Sequence, residues 1–172
     1  MPFYQKRGQI PNKRHIQFKD ASGNLYWEEL ISREGFSHMY SNIYHVNPPT
    51  AITKIGTPIK NKIQLASKLH KHYHLKTESI TSQGDAISSR IPLFLNKDII
   101  VSKCHIDTSM KNLFKNAYAD EILFINSGEG ILRSNFGCIN LSFGDYVVIP
   151  RGIIWQLEIT EPMKVLIIES AS

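Results

Sequence analysis

His70, His72 and His74 alternate through Leu69-His70-Lys71-His72-Tyr73-His74, and no other run in the chain gathers imidazoles so closely. On an extended strand all three would project from one face, within reach of one zinc or iron ion. On a helix only His70 and His74 would share a face. Lys68, Lys71 and Lys76 surround them, and no nearby carboxylate precedes Glu78 to orient an imidazole from behind. The expected reading is therefore adventitious metal binding or none, with a functional metal site as the alternative. The second chemical candidate is Glu121, set at the head of an apolar run and expected to be a strand-end carboxylate satisfied by a neighbouring donor.

Other chemistry is poorly supplied. His15, His38, His45 and His105 are scattered, and no nucleophile elbow, phosphate-binding loop or dinucleotide fingerprint occurs. Cys104 and Cys138 are too few for a disulfide framework and are expected to be reduced and structural. The formal charge of +5 is concentrated early, with Lys6, Arg7, Lys13, Arg14 and Lys19 first and Lys54, Lys60, Lys62, Lys68, Lys71 and Lys76 following. No nucleic-acid-binding signature accompanies them, so a solvated cationic surface is expected rather than a nucleic-acid partner. Neither a signal peptide nor an apolar stretch long enough to span a membrane is read, which leaves a cytoplasmic protein as the expectation.

Elements that must position these residues follow from turn residues and apolar runs. At 172 residues, 42% apolar and 20% charged, one compact domain with an extra arm is expected. Residues 1–50 read as an aromatic-rich arm or hairpin, with Asp20, Ser22, Gly23 and Asn24 leading into Leu25–Leu30. Residues 51–98 read as irregular and loop-rich, although Ile59, Ile63, Ala66, Leu69 and Tyr73 keep helical spacing. From 99 to 172 the chain reads as strands: 99–101, 122–125, 130–132, 146–149, 153–157 and 165–168. Short strands at such spacing predict a mainly β fold, a jelly-roll barrel.

Glu121 and Gly128 form an E-x6-G pattern, and Gly144, Pro150 and Gly152 form G-x5-P-x-G after a further fifteen residues. That skeleton resembles the cupin superfamily. In metal-binding cupins two histidines precede the glutamate and a third follows the last glycine. The corresponding places here are Lys115 and Ala117, or Phe114 and Asn116, and then Trp155. None of these side chains replaces imidazole as a ligand, and Glu121 alone makes no site.

Longer segments extend the resemblance. Gly8–His15, Leu25–Leu30, Gly35–Ser37, Tyr44–Thr50, Gly84–Ser88, Pro92–Phe94, Thr108–Met110, Asp120–Phe124, Gly144–Gly152 and Leu166–Glu169, taken in order, are similar to the bacterial type of homogentisate 1,2-dioxygenase. The resemblance implies kinship with enzymes that use Fe(II) and oxygen to open the ring of homogentisate in tyrosine and phenylalanine catabolism. It also implies that the iron ligands belong to a C-terminal cupin half beyond the matching region. The chain is thus expected to be the metal-free N-terminal half, truncated before the iron site, inactive alone and acting as a scaffold or oligomerisation half. A homo-oligomer or the missing half is its expected partner, met through Tyr26, Trp27, Phe36, Tyr40 and Tyr44, although Trp27 and Phe36 are better suited to stapling the arm to its own barrel. The alternatives are a freestanding metal-free cupin that binds or isomerises a small molecule between Glu121, Tyr118 and Tyr146, and an enzyme built on the histidine cluster.

Overall fold

A computed structural model describes residues 17–32, 34–58, 72–81 and 83–171. The chain divides into two compact units, Met1–Leu30 with Asn42–Lys76, and Ile31–Ser41 with Thr77–Ser172.

The first unit is organised by an Asx turn. Asp20 Oδ1 accepts from the amides of Ser22 and Asn24, each at 2.9 Å, and Gly23 takes φ 84°. That closure pairs Lys19 with Leu25 and turns the chain into β1 (Trp27–Ile31), which pairs with β2 (Ser41–His45). Phe18 packs on Tyr44 at 4.3 Å, and His45 Nε2 meets Glu29 Oε2 at 2.9 Å. Within the segment read as an arm, the described residues form this two-stranded pairing. The helical spacing from Ile59 to Leu69 lies outside the described residues, and no helix occurs among those described.

The second unit holds the remaining strands: β3 (Arg90–Leu95), β4 (Ile99–Ile106), β5 (Phe114–Lys115), β6 (Asp120–Ser127), β7 (Gly130–Ser134), β8 (Gly137–Leu141), β9 (Tyr146–Ile149), β10 (Ile154–Ile159) and β11 (Met163–Ser170). They form a five-stranded sheet in the order β3-β4-β11-β6-β9 and a four-stranded sheet in the order β5-β10-β7-β8. The architecture is the expected jelly roll, but among the described residues no ladder joins the two sheets, so the barrel is open rather than closed.

Alternation explains the layering. In β6 Glu121, Leu123 and Ile125 are buried while Ile122 and Phe124 face outward, and β11 repeats this with Met163, Val165 and Ile167 inward. Trp155 and Leu157 from β10 and Leu132 from β7 complete one core cluster. Each such side chain contributes roughly 1.5–3 kcal/mol when fully buried. Gly128 fixes the β6–β7 turn: its φ is 86°, and a Cβ there would lie 2.2 Å from Pro162 O.

The outer face of the five-stranded sheet is also apolar. Val148, Ile122, Ile168, Val101 and Phe94 stand opposite one another across all five strands. Beside them run Tyr146, Phe124 and Leu166, with Phe124 and Tyr146 rings 4.6 Å apart. Antiparallel sheets that present one face to water usually alternate polar and apolar residues, and this one departs from that pattern.

Candidate functional site

Two carboxylates and one guanidinium meet inside the second unit. Glu121 is the second residue of β6 and is fully buried; Glu169 on β11 stands directly opposite it. Opposed residues of an antiparallel pair project from the same face, so both carboxylates enter the space between the sheets.

Arg90 opens β3 and reaches both. Its Nη1 donates to Glu121 Oε1 at 2.6 Å and also to Glu169 Oε1. The preceding turn aims it. Asp85 Oδ1 accepts from the amides of Ile87 and Ser88 at 3.0 and 2.8 Å and from Ser88 Oγ at 2.8 Å. Burial works against the charged form of Asp85, yet the Ser88 and Ile87 donors outweigh it and hold the carboxyl below its usual value. The turn leaves Ala86 O placed to accept from Arg90 Nε at 2.9 Å. Arg90 Nη2 is buried and has no hydrogen-bond partner among the described residues.

Glu121 draws two more donors. Trp155 Nε1, on β10 of the other sheet, donates to Glu121 Oε2 at 3.2 Å, and Asn116 Nδ2 donates to Oε1 at 3.4 Å. Asn116 is held in turn, because its Oδ1 accepts from the amides of Tyr118 and Ala119, both at 3.0 Å. Phe114 stands opposite Trp155 in the β5–β10 ladder, with rings 5.7 Å apart at 82°, and the Arg90 guanidinium lies 5.6 Å from the Phe114 ring centre. Phe114 and Asn116, not Lys115 and Ala117, are therefore the pair that reaches the cluster. Glu169 is held above its ordinary value by burial, with the Glu121 charge adding to burial against the pull of Arg90.

Glu121 is thus the buried, partnered carboxylate that its sequence context implies. Its partners were not legible, since Arg90 lies in a stretch that reads as irregular. The one available signal was that a buried acid requires a cation, and Arg90 is the only arginine between Arg33 and Arg133.

Of the histidine cluster, His72 and His74 lie in an irregular exposed segment, and His70 lies outside the described residues. No group of three or more His, Cys, Asp or Glu among the described residues could hold a metal ion. Tyr118 and Tyr146 do not join Glu121: they are 73% and 72% exposed, and Tyr146 lies on the outer face of its sheet. Trp27 and Phe36, expected to act as staples, are exposed as well. Cys104 is buried and Cys138 exposed, both free.

The family whose sequence profile matches, over residues 78–172, is described as homogentisate 1,2-dioxygenase N-terminal. This chain belongs to that family. A protein named as a putative dioxygenase from Saccharolobus solfataricus is 39% identical over 171 residues, covering 98% of this chain and 44% of its own length. The chain therefore spans less than half the length of this curated relative. Among solved structures, a cupin-2 domain protein from Shewanella frigidimarina matches with a TM-score of 0.44 and 22% identity, covering 48% of this chain and 79% of that one. A cupin protein from Bacteroides fragilis matches with a TM-score of 0.46 and 20% identity, over 62% and 87%.

Homogentisate dioxygenases imply iron, and the donor set around Glu121 does not fit it. Both oxygens of Glu121 already accept from N–H groups of Arg90, Asn116 and Trp155, and a guanidinium occupies the position beside them. A divalent cation needs lone-pair donors, which this cluster lacks apart from the two paired carboxylates. No iron-dependent step is assigned to these residues.

Proposed function

We propose that this chain is the non-catalytic N-terminal domain of a homogentisate 1,2-dioxygenase-type protein, working in the cytoplasm as the scaffold on which a separate Fe(II)-bearing cupin domain or a homo-oligomer is assembled. Ring opening of homogentisate, in tyrosine and phenylalanine catabolism, is the activity it would support rather than perform. The observation carrying this reading is the environment of Glu121, where three N–H donors and an arene fill the interior. A relative more than twice as long agrees with a second domain of comparable size.

The test pairs this chain with the unmatched portion of the Saccharolobus relative. Oxygen uptake is followed with Fe(II), ascorbate and homogentisate for each part alone and for both co-expressed. Uptake by the pair, with none above background for this chain alone, is expected. Ring cleavage by this chain alone sinks the proposal, as does failure of the two parts to co-purify.

A further inference from the structure

Glu121 and Glu169 face each other from adjacent strands and accept from one and the same nitrogen of Arg90. Their side chains are 0% and 18% exposed and that of Arg90 is 12% exposed, so water screens none of the three well. Two negative charges against one positive leave the cluster one cation short. Like charges held this close in a poorly screened space cannot both ionise freely, and the cheapest remedy is to keep one proton.

Among the described residues, Arg90 is the cation that the hydrogen bonds place on the pair. On β4 the group facing inward is the neutral Cys104 thiol, while His105 alternates to the other face. On β5 Lys115 alternates away from Phe114. Asn116 and the β10 residue Trp155 are neutral donors, and β9 sends in only Val147 and Ile149. Asp85 is negative and already engaged by Ser88 and Ile87. Asp120 and Arg151 neutralise each other at 3.2 Å. Lys97, on the rim of a cleft of about 160 Å³ that reaches Glu169, is 89% exposed and lies 4.0 Å from Asp98.

We infer that Glu169 keeps a proton beside Glu121, since both accept from one Arg90 nitrogen, and that this proton makes the cluster an acid-sensitive tie between the two sheets. The link to the second sheet is the Trp155 indole on Glu121 Oε2. A carboxylate that accepts from a protonated neighbour is a poorer acceptor for a second donor, so the indole bond weakens as Glu169 takes up its proton and strengthens as Glu169 loses it. Burial and the neighbouring charge, which hold the Glu169 carboxyl above its ordinary value, act in the same direction.

The chain has two tryptophans, Trp27 and Trp155. In a Trp27→Phe chain the surviving indole 15N–1H resonance reports Trp155 alone, and it is followed from about pH 8 down to about pH 4, a range that brackets ordinary and raised carboxyl values. The expected result is a shift with a midpoint above the free-carboxyl range, abolished by Glu169→Gln. A flat indole position, or the same midpoint in Glu169→Gln, overturns the inference. Should Glu169→Gln fail to fold, the side-chain carboxyl 13C shifts of the unsubstituted chain decide. A Glu169 midpoint above the ordinary carboxyl range supports the retained proton, and one within that range overturns it.

Discussion

Glu121 and Glu169 occupy opposed positions on β6 and β11 and depend on the same Arg90 nitrogen for their charge balance. The arrangement joins three strands of one sheet, β3, β6 and β11, and through Trp155 it extends to the other. Removing the cation should therefore cost more than any one hydrogen bond.

Arg90→Met leaves the buried Glu121 and the half-buried Glu169 facing each other without a cation, and loss of one partner from a buried ion pair typically costs about 3–5 kcal/mol. Urea unfolding should show that loss. Adding Glu169→Gln to Arg90→Met should recover part of it, because the second change removes one of the two acids left facing each other without a cation. Strict additivity of the two changes would mean that the groups do not act as a unit.

Trp155→Phe keeps the aromatic packing on Phe114 but removes the indole donor from Glu121. A buried acceptor deprived of one donor costs about 1–3 kcal/mol. Chemical denaturation at neutral pH measures it, and an unchanged midpoint would show that the indole contributes packing only.

Two of the skeleton's three glycines should differ sharply. Gly128 and Gly144 both take positive φ, 86° and 90°, but only at Gly128 does a Cβ collide with backbone. Gly144→Ala should cost about 1–2 kcal/mol, the left-handed penalty alone. Gly128→Ala should cost more and shift the β6–β7 turn, which comparison of thermal midpoints checks.

Thiol chemistry should separate the cysteines. Cys138 should label at once with an aromatic disulfide reagent, and Cys104 only when the chain unfolds. Burial pushes the Cys104 thiol up, against the weaker opposing effects of Ser89 and Arg90. A raised value means that the fold prefers the neutral thiol. The contribution is present below the ordinary thiol range and is lost as pH rises through the folded value. Cys104→Ala should flatten the alkaline fall in stability; an identical slope in both proteins would exclude this thiol as its source.

Strands with an uninterrupted apolar pattern are readable from sequence: β4, β6, β7, β9 and β11 contain the runs that mark them, and β10 begins one residue inside the run 153–157. β3 was hidden by Pro92, which lacks an N–H and reads against a strand. It is accommodated on an edge strand, next to a register shift between Pro92 and Phe94. β8 was hidden because it lies at the other sheet's edge with four of its five residues exposed, and its turn, Asn135-Phe136, is not a recognised hairpin pair. Missing β3 meant missing Arg90, and so the partner that makes sense of Glu121. The pairing of Glu121 with Glu169 depends on strand register, which no local spacing in the sequence encodes.

β9 carries Tyr146 and Val148 on one face and Val147 and Ile149 on the other, and it ends the five-stranded sheet. A strand apolar on both sides with one row of amides unpaired is a template for further strands. For anyone handling the purified chain this sets a practical limit. Its shelf life at high concentration will be governed by that edge rather than by the melting of its core, and a lysine at position 148 should extend the former while leaving the latter unchanged.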